Sequence, residues 1–86
     1  MGISSSAVTV AATATLLAKA DGDGDNIVVT NTGTEIVYVG AAAVATTDGF
    51  PLASGGALAF RLAAGESAYG IVSTGTEPVR VLKESF

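Results

Sequence analysis

The 86-residue sequence contains no cysteine, no histidine and no tryptophan. Without cysteine the chain forms neither a disulfide nor a thiolate nucleophile, and without histidine it lacks the commonest general base. Positive charge is also scarce, since four Lys and Arg residues stand against eight Asp and Glu residues, for a net charge of -4. A chain this acidic offers no basic surface to phosphate groups, so we expect neither a nucleic-acid partner nor a membrane partner.

Long apolar runs are missing as well, and no stretch reaches the roughly 20 apolar residues of a transmembrane helix. The hydrophobic content is 49%, but 16 of those 42 residues are alanine. Because alanine buries little area, the core must be built from Val, Ile, Leu and the five aromatic residues. A core this sparse favours association as a further source of stability. We therefore expect a homo-oligomer, with a trimer favoured.

The residues that are abundant are those of strands and turns. Val, Thr and Gly are frequent, and the 3.6-residue periodicity of amphipathic helices is absent. The clearest strand is Ala57–Leu62, where Leu58, Phe60 and Leu62 share one face and Arg61 lies on the other. Glycine-containing turn signals separate such segments. The pattern predicts an all-β fold: a small β-sandwich (jelly-roll-like) or barrel of six to eight short antiparallel strands.

The N-terminal residues differ from the rest of the chain. Residues 13–86 are expected to form the single β-sandwich domain, and residues 1–12 an extended N-terminal arm with little charge and no helix cap. We expect this arm to be ordered by another chain, to whose sheet edge it adds a strand. The predicted partner contacts are the apolar residues Ile3, Val8 and Val10, together with Phe86.

One tetrapeptide occurs twice, as Thr32-Gly33-Thr34-Glu35 and as Thr74-Gly75-Thr76-Glu77. Each copy follows a β-rich run and precedes alternating valines. Two interpretations remain open: two hairpins that use the same favourable turn chemistry, or two related hairpins in a pseudo-symmetric sandwich. Both interpretations place a hairpin turn at each copy, and neither creates a site.

The acidic segment Asp21–Asn26 is the only group of residues with the chemistry of a metal site. Asp21, Asp23 and Asp25 are the candidate ligands, since carboxylates at alternate positions open a calcium loop. The segment then departs from that pattern, because it has no glycine at the sixth position and no glutamate at the twelfth. A solvated acidic turn is therefore expected, with no metal and no other cofactor.

No set of residues supports catalysis. A Ser or Thr nucleophile needs a neighbouring base, and nothing in the pattern places Lys19 or Lys83 beside a hydroxyl group. The carboxylates fall in predicted turns or on polar faces, where solvation keeps them from acting as a catalytic pair. We predict that the chain is not an enzyme.

The order of the strand and turn motifs is itself a signature. An Ile-Val-Val-Thr-Asn-Thr-Gly segment leads to a strand ending in Tyr-Val-Gly, then to an Ala-Gly-Glu-Ser turn and a late Val-Arg-Val-Leu strand. The matching pieces lie at residues 14–18, 27–34, 37–40, 49–52, 64–67 and 73–82. This order resembles that of small structural proteins of tailed bacteriophages. The motifs are strands and turns, so the resemblance supplies no catalytic residues.

The resemblance implies a non-enzymatic virion structural protein that decorates or cements a bacteriophage capsid at the virion surface. Its partners would be the major capsid protein or another virion protein, besides copies of itself. The alternative is a small β-sandwich binding or adhesion module of a bacterial surface protein. Such a module would bind a cation through the acidic loop, or a sugar on aromatic rings. The aromatic candidates for sugar stacking are Tyr38, Tyr69, Phe50 and Phe60, although Phe60 is expected in the core.

Overall fold

The computed structural model describes residues 2–20 and 24–85. None of these residues is helical, so they include no helix that is long and apolar enough to cross a membrane. The strands are β1 (Gly2–Ala11), β2 (Thr15–Lys19), β3 (Asp25–Asn31), β4 (Val37–Gly40), β5 (Phe50–Leu52), β6 (Ala57–Leu62), β7 (Ser67–Ile71) and β8 (Thr76–Ser85).

These eight strands form two four-stranded antiparallel sheets. Sheet A has the order β1-β8-β3-β6, and sheet B has the order β2-β7-β4-β5. The connection from β4 to β5 stays within sheet B, whereas every other connection between consecutive strands passes from one sheet to the other. This arrangement is typical of a jelly roll. The prediction of a small all-β sandwich of six to eight antiparallel strands is confirmed.

Alternation along the strands builds most of the core between the sheets, with an irregularity in β2, where Leu17 and Ala18 are both buried. In β3, burial alternates residue by residue, and Ile27 and Val29 are completely buried. Strand β8 contributes Val79 and Val81 from the same sheet. Branched side chains suit this position because they pack well on a pleated surface. Apart from alanines, the core cluster consists of Val10, Leu17, Ile27, Val29, Val37, Val39, Leu52, Leu62, Val72, Val79 and Val81.

Strand β1 corrects the expectation of a separate arm over residues 1–12. It is extended, but it pairs with β8 of its own chain along its whole length, from Gly2–Ser85 to Ala11–Thr76. Val10 is completely buried in the core, and Val8 packs against the same core. Pairing within the chain carries none of the entropy loss of bringing two molecules together, so an available intramolecular edge prevails over a partner's edge. The first strand is therefore an integral part of sheet A.

The two Thr-Gly-Thr-Glu segments are crossovers, and the expectation of hairpins was wrong. The first segment joins β3 in sheet A to β4 in sheet B, and the second joins β7 in sheet B to β8 in sheet A. A glycine-containing turn signal shows that the chain changes direction. It does not show whether the next strand pairs with the preceding one or crosses to the opposite sheet.

Candidate interaction surfaces

Among residues 2–20 and 24–85, no group of three or more metal-ligating side chains comes together. Asp21 and Asp23 lie outside the described residues, so the solvated turn predicted there remains a prediction. Asp25 starts β3 and is completely buried, with its Oδ2 3.3 Å from the Nζ of Lys83. Lys83 Nζ also donates to the carbonyl oxygen of Lys19 at 2.8 Å. Asp25 and Lys83 are thus partners in an ion pair within the sandwich.

A second polar cluster forms where the two Thr-Gly-Thr-Glu segments meet. Glu77 is buried, and its Oε1 accepts hydrogen bonds from the Thr34 N–H at 3.1 Å, the Thr34 hydroxyl at 3.2 Å and the Glu35 N–H at 3.0 Å. Successive backbone N–H groups in a turn provide a concave site for an anion. The carboxylate of the second segment is therefore the internal anion that the first segment holds.

The side chain of Asn31 holds the same crossover by hydrogen bonds from the end of β3. Asn31 is completely buried, and its Nδ2 donates to the carbonyl oxygens of Glu35 at 2.7 Å and Leu52 at 2.9 Å. Its Oδ1 accepts from the N–H of Gly33 at 2.9 Å. Since Leu52 belongs to β5, this amide links the two sheets. Both clusters satisfy the chain's own buried polar groups, and their role is structural.

Sequence reasoning did not identify Glu77 or Asn31 as structural centres. For Glu77 a signal existed, because it shares strand parity with Val79 and Val81 and must face the core with them. For Asn31 the same alternation places it after Ile27 and Val29 on the buried side of β3.

The outer surface of sheet A is the first candidate interaction surface, and we call it face A. The register aligns its outward side chains in three rows across β1, β8, β3 and β6. The central row is Ser5, Leu82, Val28 and Ala59. One flanking row is Ile3, Glu84, Asn26 and Arg61, and the other is Ala7, Arg80, Thr30 and Ala57.

Face A presents apolar side chains to solvent in all three rows, with polar and charged side chains in the two flanking rows. Ile3 is 70% exposed and Leu82 is 43% exposed, although both are large aliphatic residues. The face contains a shallow depression of about 480 Å³ around Val28 and Leu82. On one flank, Asn26 Nδ2 lies 3.4 Å from Glu84 Oε1, which keeps that carboxylate over the sheet. Contiguous exposed apolar surface with a polar rim is typical of an interaction site.

The outer surface of sheet B is the second candidate, and we call it face B. Its register places Leu16 beside Tyr69, and Tyr38 between Ile71 and Pro51. Leu16 is 47% exposed, and the other side chains are half-buried or exposed. Tyrosine combines a large apolar ring with a polar tip, which is why it is enriched in protein interfaces.

The four aromatic residues considered for sugar stacking do not form one patch. Tyr38 and Tyr69 lie on face B, whereas Phe50 and Phe60 line a separate cleft of about 360 Å³ between the edges of β5 and β6. Phe60 packs against the core, as expected, while Phe50 is 58% exposed. A four-ring platform is therefore excluded, because the rings are divided into a tyrosine pair on face B and a phenylalanine pair in the cleft.

The predicted partner contacts are divided by the fold. Ile3 is exposed on face A, Val8 and Val10 face the core of their own chain, and Phe86 lies outside the described residues. The valine contacts are corrected because β1 is a strand of its own sandwich, whose alternation directs the even-numbered residues inward. Leu16 and Leu82 are exposed residues that sequence reasoning missed. In β8, the signal for Leu82 was its parity opposite to the buried valines.

No protein-family model and no curated protein matches the sequence. Among solved structures, one similar chain belongs to a structure described as "Bacillus endospore appendages form a novel family of disulfide-linked pili". The TM-score is 0.59 at 16% sequence identity, and the match covers 99% of this chain and 86% of that chain. At this identity the likeness shows the fold alone, an all-β sandwich.

Proposed function

We propose that this chain is a non-enzymatic structural subunit that assembles with copies of itself. The observation that carries the proposal is the exposure of large aliphatic side chains on both outer faces, Ile3 and Leu82 on face A and Leu16 on face B. A small sandwich gains stability when such faces are covered by neighbouring subunits.

The similar solved chain supports the same direction, since it belongs to disulfide-linked pili. The present sequence has no cysteine, so its contacts between copies would be non-covalent. Pili are surface assemblies, and by analogy the proposal places this subunit in an assembly outside the cell.

The finer proposal is that the subunit decorates or cements a bacteriophage capsid at the virion surface. It is supported by the motif order over residues 14–82 and by the recurrence of jelly rolls among viral capsid domains. The partner would be the major capsid protein or another virion protein, and the trimer is the expected oligomer.

Antibody labelling of the native source, viewed by electron microscopy, tests both levels of the proposal. Labelling of virion heads supports capsid decoration. Regular labelling along a cell-surface appendage supports the self-assembling subunit and contradicts capsid decoration. Diffuse labelling with no ordered particle or fibre contradicts both.

The alternative is a small binding or adhesion module, and one observation favours it. Tyr38 and Tyr69 are diagonal neighbours on the adjacent strands β4 and β7 of face B. Titration calorimetry with simple sugars and with calcium tests this alternative, with the Tyr38→Ala variant as the control for sugar binding. Saturable binding that this variant loses would replace the structural proposal with the adhesion module.

A further inference from the structure

Face A is self-complementary about a two-fold axis. The axis lies in the plane of the face, along the central row (Ser5, Leu82, Val28, Ala59) and perpendicular to the strands. Rotation about this axis brings face A of a second copy against face A of the first, with the strands of the two copies antiparallel. Each flanking row of one copy then lies over the opposite flanking row of the other copy. Aligned packing of two sheets at about 10 Å separation is a common arrangement of β-sheet faces.

This superposition matches charges. Arg80 of one copy lies over Glu84 of the second copy, and Glu84 lies over the second copy's Arg80. Within one chain the two residues are four positions apart on β8, or about 13 Å, which is too far for an ion pair. In this arrangement Arg80 and Glu84 are placed to form two ion pairs between copies that they cannot form within one copy.

The superposition also matches size and polarity. Ile3, the most exposed large aliphatic residue, lies over the small Ala7. The long side chain of Arg61 lies over Ala57, and the amide of Asn26 lies over the hydroxyl of Thr30. On the axis itself, Leu82 meets Leu82 and Val28 meets Val28, so the apolar row is covered by an identical apolar row.

We infer that face A is an isologous contact whose partner is a second copy of this chain, so it joins copies in pairs and is separate from the three-fold contacts of the expected trimer. The inference rests on the proposed function and specifies which surface of the subunit forms the contact. Three rows on four strands cover about 20 Å by 20 Å, or roughly 400 Å² per copy. Since a standard interface buries about 800 Å² per partner, one such contact is weak and gains strength by repetition within an assembly.

Charge-reversal variants test the inference by sedimentation equilibrium at low ionic strength. Arg80→Glu places like charges opposite one another across the axis, and so does Glu84→Arg. For each variant alone, we expect an association constant at least about tenfold lower than that of the wild-type chain. An equimolar mixture of the two variants restores both ion pairs, and we expect a one-to-one heterodimer. The double variant R80E/E84R is expected to regain self-association.

One exposed residue away from both faces provides a matched control. Glu35→Arg changes the charge as Glu84→Arg does and is expected to associate like the wild-type chain. Leu82→Asp, on the axis, is expected to abolish the contact both alone and in mixtures. Thermal unfolding confirms that each variant is folded, since all these positions are on the surface.

If the wild-type chain associates and the face A variants do so equally well, the face A contact is overturned while the proposed function stands. A wild-type chain that stays monomeric at millimolar concentration overturns both. Association of an Arg80→Glu and Glu84→Arg mixture no stronger than that of the separate variants also contradicts the two-fold arrangement.

Discussion

The two Thr-Gly-Thr-Glu segments have the same sequence and the same task, yet their glutamates have opposite environments. Both segments cross between the sheets, but Glu35 is exposed while Glu77 is 7% exposed. The difference lies in where the following strand begins. Strand β8 begins at Thr76, inside its tetrapeptide, so alternation turns Glu77 inward with Val79. Strand β4 begins only at Val37, so Glu35 stays in the turn.

The glycines of the two segments also differ in the constraint that each one meets. Gly75 has a positive φ of 68° with open space around the position of a Cβ. Gly33 has no positive φ, but a Cβ there would lie 2.6 Å from Glu77 Oε2. One glycine is required by backbone conformation and the other by close approach. Identical tetrapeptides therefore acquire different constraints from their surroundings, and each constraint can be tested against its counterpart.

The largest expected effect comes from the residue before each tetrapeptide, Asn31 in the first and Ser73 in the second. Asn31→Ala removes three hydrogen bonds and leaves the carbonyl oxygen of Leu52 without its buried donor. We expect a loss of about 3 kcal/mol in the free energy of unfolding. Ser73→Ala is the matched control, and because Ser73 is exposed we expect a change within about 0.5 kcal/mol. Urea unfolding of the two variants measures the difference. Equal effects would show that the amide of Asn31 does not link the sheets.

The next effect compares the two glutamates. Glu77→Gln removes the charge from an oxygen that accepts three hydrogen bonds, and bonds to charged groups are the stronger ones. We expect a loss of about 2 kcal/mol for Glu77→Gln and less than about 0.5 kcal/mol for Glu35→Gln. Chemical denaturation at neutral pH measures both. A Glu35→Gln variant as unstable as Glu77→Gln would contradict the asymmetry between the segments.

The smallest expected loss of stability comes from substituting the two glycines. Asparagine tolerates a left-handed backbone better than other non-glycine residues, so Gly75→Asn is expected to cost less than about 1 kcal/mol. Gly33→Asn must displace the Glu77 carboxylate, which is the end of a flexible side chain, and we expect a cost of about 1.5 kcal/mol. The two melting temperatures provide the measurement. If Gly75→Asn were the more damaging substitution, the assignment of conformation to one glycine and close approach to the other would be reversed.

The sequence predicts the strand bounds and the buried faces that follow from apolar–polar alternation. It does not predict which strands pair with one another. Strand β6 was predicted with its observed bounds, because Leu58, Phe60 and Leu62 alternate with a charged residue. The crossovers at the two tetrapeptides were misread, since a turn signal does not specify the sheet of the next strand. The partner of β1 was also missed, because β8 is its neighbour in space but is separated from it by most of the chain.

The candidate surfaces show the same division. The exposed position of Leu82 follows from its parity in β8, but its row with Ser5, Val28 and Ala59 depends on the register of three strand pairs. Register is set by the packed core and by all the connections together. No local sequence pattern specifies the register between strands. The complementarity of face A therefore becomes visible only when the strand pairing is known.

If this chain is a structural subunit that assembles with copies of itself, its association must increase with concentration. Sedimentation velocity of the purified wild-type chain, from micromolar to millimolar concentration, measures this dependence. We expect the weight-average sedimentation coefficient to rise with concentration, and ordered oligomers or fibres to form at the upper end. A well-folded chain that sediments as a monomer over the whole range would show that it does not assemble with copies of itself.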